Sequence, residues 1–371
     1  MRRVLWGLFG LLALVLAVPG VVLLVSAATL YGRLLGLAVL CVPLPAHVML
    51  LAPRGKRKRL LLVVASPILL AAIVMPLHAP PQQPPGSPCV GSRFPGESGF
   101  RRWSLFNLVP EADQMGLGLF LAPLLDSRMT RERMAHYRPP VMQLYDEMER
   151  DPDFRLLGSV RDRAFADPLG EPFDVGHYYW YAPPHPAGSE LPAIVFLHGW
   201  VGNFKLYLWA WKRFADQHGF AIVCPSFGFG HWQRAGGAEA VERARQIAVQ
   251  ELHLAPDRVW LAGLSNGGLG VSRAALTFPS AWRGLIYISA VAEEGILSSP
   301  EFVSAWKGRP VIFLHGSEDE RISWDLSTRP AAEGLVRQGV VATCRVYPGE
   351  DHSLFVTRLD SLLEDMAAWV R

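Results

Sequence analysis

Three apolar runs open the chain, from Val4 to about Leu30, from about Leu34 to Ala52, and from Leu60 to Leu77. Each approaches the length that crosses a hydrocarbon core, and none contains Asp, Glu, Lys or Arg. Core helices of a water-soluble domain rarely come as three such runs in succession. Pro43, Pro45 and His47 interrupt the second run. The first also fits a signal peptide, with Val25-Ser26-Ala27 as a small-residue cleavage site, although its apolar core is long for one.

The pattern then changes. His78 to Ser92 is rich in Pro, Gly, Gln and Ser and predicts an extended linker. Between Phe100 and Asp153, an apolar stretch, Leu117–Leu125, precedes a charged one. That charged stretch carries Met134, Tyr137, Val141, Leu144, Tyr145 and Met148 at helical intervals. One or more helices are expected, as a stabilising extension or as a cover over the sheet edge or the mouth of a site. After that, short β-prone apolar runs alternate with helix-length segments near Phe204–Gln217, Ala238–His253, Leu269–Phe278, Trp324–Gln338 and Ser353–Val370. Such alternation predicts a mostly parallel α/β sheet covered by helices on both faces. The expected organisation is a membrane region over 1–78 with about three transmembrane helices, a linker over 79–99, a helical extension over 100–153 and an α/β domain over 154–371.

Charge orients the apolar runs. Arg2 and Arg3 precede the first, Arg54 and Lys56 to Arg59 separate the second from the third, and Arg33 alone lies between the first and second. Positive charge stays in the cytoplasm, so the N-terminus and the 54–59 loop are expected there and the α/β domain on the extracytoplasmic side. A net charge of +3 on 371 residues, its excess mostly beside the apolar runs, gives no support for nucleic-acid binding. Half the residues are hydrophobic, ample for one large core besides the spans. The four cysteines, Cys41, Cys89, Cys224 and Cys344, suggest neither a disulfide framework nor a metal site.

Candidate chemistry sits at the ends of the β-prone runs. Val259–Leu264 leads into Gly263-Leu264-Ser265-Asn266-Gly267 and then a helical segment. A strand turning sharply into a helix presents Ser265 above the sheet edge at the helix's positive end, and the small residues Gly263 and Gly267 let the chains pass. Upstream, Ala193–Leu197 runs into His198-Gly199-Trp200. In an acyl-transfer site the loop after such a strand and the residue after the nucleophile each offer a backbone N–H to an oxyanion, here Trp200 and Asn266. His198 is expected to shape that loop. Downstream, Pro310–Leu314 precedes His315-Gly316-Ser317-Glu318-Asp319, and a strand ending at Tyr347 precedes Glu350-Asp351-His352. A carboxylate of the first loop would orient the imidazole of the second. Asp319 is preferred, with Glu318 and Asp351 as rivals; His315 reads as structural.

These motifs resemble the α/β-hydrolase superfamily, in its serine esterase, lipase and peptidase branch, over roughly the last 200 residues. The resemblance implies a Ser265–Asp319–His352 triad in the family's chain order, no cofactor or metal, and an eight-stranded sheet. The strands it suggests are Arg155–Val160, His177–Ala182, Ala193–Leu197, Phe220–Pro225, Arg258–Leu264, Gly284–Ser289, Pro310–Leu314 and Ala342–Tyr347. Trp200, Phe204, Tyr207, Trp209, Trp211, Phe227, Phe229 and Trp232 cluster near the site in sequence, and some are expected to favour an apolar, lipid-like or small-molecule ester. Carboxylic-ester hydrolysis in a membrane-anchored chain is the leading expectation. A peptidase or acylaminoacyl-type hydrolase with the same triad is the alternative, and a non-catalytic tethered binding protein a third. The oligomeric state is not encoded in any of these motifs.

Overall fold

The computed structural model describes residues 2–95, 99–161 and 177–370. The chain divides into two compact units. The first comprises residues 1–80 and 102–138, and the second 81–101 and 139–371.

The first unit is helical. Its elements are α1 (Arg2–Ser26), α2 (Leu30–Cys41), α3 (Leu44–Leu51), α4 (Arg57–His78), α5 (Leu105–Leu108) and α6 (Glu111–Leu125). Thr29 caps α2, its side chain accepting from the Gly32 N–H. The second apolar run is divided between α2 and α3 at Val42-Pro43, where the backbone keeps helical angles and the proline removes one donor. By length and composition Leu30–Met49 and Arg57–His78 each suffice to cross a membrane. α4 continues through Pro67 and Pro76, and most of its large apolar side chains face outward: Leu62, Val63, Leu69, Leu70, Ile73 and Leu77 are exposed. The stretch 102–138 belongs with these helices and not with the sheet.

The second unit is built on one sheet of eight strands: β1 (Val90–Arg93), β2 (Tyr178–Tyr181), β3 (Leu191–Leu197), β4 (Ala221–Pro225), β5 (Leu254–Leu264), β6 (Gly284–Ile288), β7 (Pro310–Gly316) and β8 (Val341–Tyr347). Their order is β1-β2-β4-β3-β5-β6-β7-β8. β2 pairs antiparallel with β1 and β4, and β3 to β8 form a parallel array. The mostly parallel eight-stranded sheet implied by the resemblance is present. Every residue of β4 and β6 is buried, which is the burial that helices on both faces impose. Those helices include α9 (Lys205–His218), α10 (Gly237–Glu251), α11 (Gly267–Thr277), α14 (Arg329–Arg337) and α16 (Leu359–Val370); α7 (Arg131–Met148) runs across the division between the two units at residues 138 and 139, and α8 (Pro152–Arg155) follows it. The short helices α12 (Glu294–Leu297), α13 (Pro300–Trp306) and α15 (Leu354–Thr357) complete the set.

Three expectations change. The strand expected at Arg155–Val160 does not form. Asp151 instead caps the short α8 by accepting from the N–H groups of Asp153 and Phe154, with Pro152 at the helix start. Leu157 and Val160 are still buried, so their apolar character reflects packing of an irregular segment. The first strand lies inside the stretch expected to be linker. β1 fits beside β2 because Gly91 has no side chain; a Cβ there would lie 2.6 Å from the Trp180 ring. The expected helix Trp324–Gln338 begins as a π-helical turn, Trp324–Thr328, before α14.

Candidate active site

β5 delivers Ser265 at its carboxyl end. The residue has φ +54°, a left-handed conformation that costs free energy for any side chain. The backbone around it holds that strain: Ser265 N–H donates to the Ile288 carbonyl (3.3 Å), and its own carbonyl accepts from Gly268 and Val291 (3.0 Å each). Both flanking glycines are demanded by close approach. A Cβ on Gly263 would sit 2.6 Å from the Gly267 carbonyl carbon, and one on Gly267 would overlap the Leu197 carbonyl.

Three side chains from three strand ends meet here. Ser265 Oγ lies 3.0 Å from Nε2 of His352, and Nδ1 of His352 lies 2.8 Å from Oδ2 of Asp319. The carboxylate accepts the Nδ1 proton, which leaves the Nε2 lone pair facing the serine hydroxyl. Asp319 is buried, and its other oxygen accepts from the N–H groups of Arg321 (2.9 Å) and Ile322 (3.0 Å). Burial opposes the charged carboxylate, but the hydrogen bond and charge of His352, with the Ile322 N–H and His315, outweigh it and hold Asp319 below the ordinary carboxylate range. Of its rivals, Glu318 is exposed, and Asp351 is engaged in its own turn, accepting from the Ser353 N–H (2.7 Å).

The loop after β3 runs past the serine. A Cβ built on Gly199 would lie 3.1 Å from Ser265 Cβ and 3.7 Å from Oγ. His198 is fully buried and shapes this loop. Its Nδ1–H donates to the Gly199 carbonyl (2.7 Å) and its Nε2 accepts from the Phe227 N–H (3.3 Å), so the ring is neutral with the proton on Nδ1. Burial pulls its pKa down to about 3. The Gly199 carbonyl and the Trp200 N–H belong to one rigid peptide plane, so this bond sets the direction of the Trp200 N–H. Trp232 donates from Nε1 to the His198 carbonyl (2.9 Å) and fixes the other side of the loop. Asn266 opens α11, among the helix-start N–H groups that have no intrahelical acceptor.

Sequence reasoning missed several supports. Arg161 is buried, lies 3.8 Å over the Phe204 ring and donates from Nη2 to the carbonyl of Val201 (3.1 Å), a residue held at φ +82°. Only tertiary contact links Arg161 to the loop, so no local signal could have found it. The aromatic cluster mostly builds core: Trp211, Phe227 and Trp232 are fully buried, Phe204 nearly so, and Trp209 packs edge-on against Phe154. Trp200, next to Gly199 in this loop, is 63% exposed. His315 lies behind the acid, with Nε2 donating to the Ile322 carbonyl (2.7 Å) and Nδ1 accepting from the Thr328 hydroxyl (3.3 Å). Among the described residues no group of three or more His, Cys, Asp or Glu could hold a metal ion.

No family model matches the chain. It is 27% identical over 118 residues to Carboxylesterase SOBER1 of Arabidopsis thaliana, covering 31% of this chain and 51% of that protein. It is 31% identical over 148 residues to pimeloyl-[acyl-carrier protein] methyl ester esterase of Yersinia pseudotuberculosis serotype O:1b, covering 38% of this chain and 51% of that protein. The chain thus spans about half the length of the curated relatives it matches. Among solved structures it is similar to FphF, a fluorophosphonate-binding serine hydrolase of Staphylococcus aureus, at 16% identity and a TM-score of 0.45, covering 53% of this chain and 92% of that one.

Proposed function

We propose that this chain is a membrane-anchored serine hydrolase that cleaves a carboxylic ester. The observation that carries the reading is the hydrogen-bonded line Ser265–His352–Asp319, with the serine held at φ +54° at the turn from β5 into α11. The names of the relatives, a carboxylesterase and a methyl ester esterase, support the ester as substrate.

In this mechanism His352 Nε2 takes the Ser265 proton as Oγ attacks the ester carbonyl carbon. Asp319 holds the imidazole in the required tautomer and stabilises its charged form. The N–H groups of Trp200 and Asn266 stabilise the oxyanion, where loss of one donor typically costs about 3 kcal/mol in the barrier. His352 then gives its proton to the departing alkoxide, and an acyl group remains on Ser265. A water, deprotonated by His352, releases the acid and restores the serine. Apart from the water, each group named in these steps is a side chain or backbone amide of the chain.

The N-terminal helices are the anchor in this reading, and the charge pattern puts the hydrolase unit outside the cytoplasm. The test is hydrolysis of p-nitrophenyl esters of rising acyl length by the full chain in nanodiscs, beside its Ser265→Ala twin. Turnover lost in the twin is the expected result. Equal turnover in both, or turnover of peptide amides in preference to esters, would overturn the proposal. Protease accessibility in sealed vesicles of known orientation tests the side of the membrane.

A further inference from the structure

The first unit contains a second apolar surface that its spanning helices do not explain. α6 begins polar and ends apolar, and its beginning is locked in place. Asp113 is fully buried and accepts from both the backbone N–H (2.8 Å) and the hydroxyl (2.6 Å) of Thr29, in the turn joining α1 to α2. Gly32 lies so close that a Cβ there would overlap the Asp113 carboxyl group, and a Cβ on Gly116 would come within 2.8 Å of the Ser26 carbonyl oxygen.

The end of α4 lies at the same level. Tyr31 stacks on His78 with ring centroids 3.8 Å apart, and Arg102 donates from Nη2 to the carbonyls of Ala79 (3.2 Å) and Pro76 (3.3 Å). The end of α1, the start of α2, the end of α4 and the segment entering α5 therefore meet in one layer. By the charge pattern this is the layer at the extracytoplasmic face.

From that layer α5 and α6 present large apolar side chains outward. Trp103, Leu105, Phe120, Leu124 and Leu125 are 56%, 71%, 44%, 72% and 80% exposed. α6 has 15 residues, about 22 Å of helix, too short for a hydrocarbon core of about 30 Å. Exposed Arg102, Arg128 and Arg131 flank the apolar residues. A helical segment whose start is bound to protein and whose end carries exposed apolar side chains, with a tryptophan just before α5 and flanking arginines, has the chemistry of an element lying in a bilayer interface.

We propose that α5 and α6 lie in the outer leaflet, with Trp103, Leu105, Phe120, Leu124 and Leu125 among lipid chains and the flanking arginines at anionic headgroups. The occupant is the bilayer because this surface belongs to the same compact unit as the exposed apolar faces of the spanning helices and meets them at the end of α4. The proposal rests on the membrane reading above and adds a second attachment to it, made by the chain that leads into the hydrolase unit.

The experiment places single nitroxide labels on the full chain, in a background with its four cysteines replaced by alanine, in nanodiscs of phosphatidylcholine and phosphatidylglycerol. The labelled variants are Leu124→Cys and Leu125→Cys, with Ile73→Cys on α4 as the lipid reference and Val336→Cys on α14 as the aqueous one; all four positions are exposed, so labelling spares the core. Collisional accessibility to oxygen and to a water-soluble nickel chelate is read for each. The expected result is a several-fold higher oxygen-to-nickel ratio at Leu124 and Leu125 than at Val336, approaching that of Ile73. Water-like ratios at Leu124 and Leu125 with a lipid-like ratio at Ile73 would overturn the interfacial element and leave the spans standing. A water-like ratio at Ile73 would overturn the membrane reading itself.

Discussion

His315 and Asp319 grip the same residue from opposite sides: Nε2 of His315 donates to the Ile322 carbonyl (2.7 Å), and Oδ1 of Asp319 accepts from the Ile322 N–H (3.0 Å). The imidazole therefore closes the loop that aims Oδ2 of Asp319 at His352. Burial holds the pKa of His315 below its usual value. His315→Ala leaves the Ile322 carbonyl without its donor, a loss of about 1–3 kcal/mol. Ester turnover should fall roughly ten-fold to a hundred-fold through kcat with KM little changed, and the acid limb of the pH–rate profile should move. His315→Gln, which retains a donor, should recover part of the loss. An unshifted profile with only a lowered Tm would make the residue merely structural.

The acid assignment is open to a direct comparison. Asp319 is buried against His352, whereas Glu318 faces solvent. Asp319→Asn keeps the shape but favours the wrong tautomer of His352, and kcat should drop by about four orders of magnitude. Glu318→Gln should stay within about two-fold of the parent, because an exposed charge is largely screened. Steady-state kinetics on one soluble ester decides it; the reverse ranking would exclude Asp319 as the acid.

His198 should make stability depend on pH. Its folded-state pKa of about 3 lies well below the value of about 6.5 for an unfolded histidine. The unfolded chain binds the proton first, so the stabilisation is complete above pH 6.5 and is lost as pH falls from there towards 3. The slope is at most about 1.4 kcal/mol per pH unit. Thermal melts of the folded chain between pH 7 and pH 4 should show the decline, and His198→Gln should be less stable at pH 7 but lose less on acidification. Parallel curves for the two proteins would refute this role.

The turn carrying Ser265 tolerates no side chain at either glycine. Gly263→Ala would press a Cβ against the Gly267 carbonyl, and Gly267→Ala would press one against Leu197. Each should cost about 1–3 kcal/mol of stability and more in activity, because relief of the clash moves Ser265 from His352. Denaturant unfolding beside ester kinetics measures both; a fully active, unshifted Gly263→Ala protein would show that the contact is not tight.

Much of this arrangement was legible along the chain for a local reason. Ser265, Asp319 and His352 each follow an apolar strand within a few residues, and short-range patterning reads strand ends well. The same holds for Gly263 and Gly267, where a sharp turn leaves its mark in residue size. β1 was hidden: four residues, Val90–Arg93, lie among prolines and are made a strand by the edge that β2 offers. Arg155–Val160 misled for the opposite reason, since Leu157 and Val160 are buried as irregular backbone.

By itself the sequence determined the periodicities: apolar runs of membrane-spanning length, strands alternating with helices, and reactive side chains at strand ends. These depend on neighbours in the chain, where sterics and solvation act over a few residues. Only the tertiary structure decided which carboxylate faces His352, which ring nitrogen carries the proton on His198, and that Arg161 and Trp232 brace the loop beside Ser265. It also assigned residues 102–138 to the helical unit, where Asp113 finds Thr29 across 84 positions of chain. Such partners are chosen by packing in a buried, low-dielectric interior, where an unpaired polar group is costly and the chain distance between partners is irrelevant.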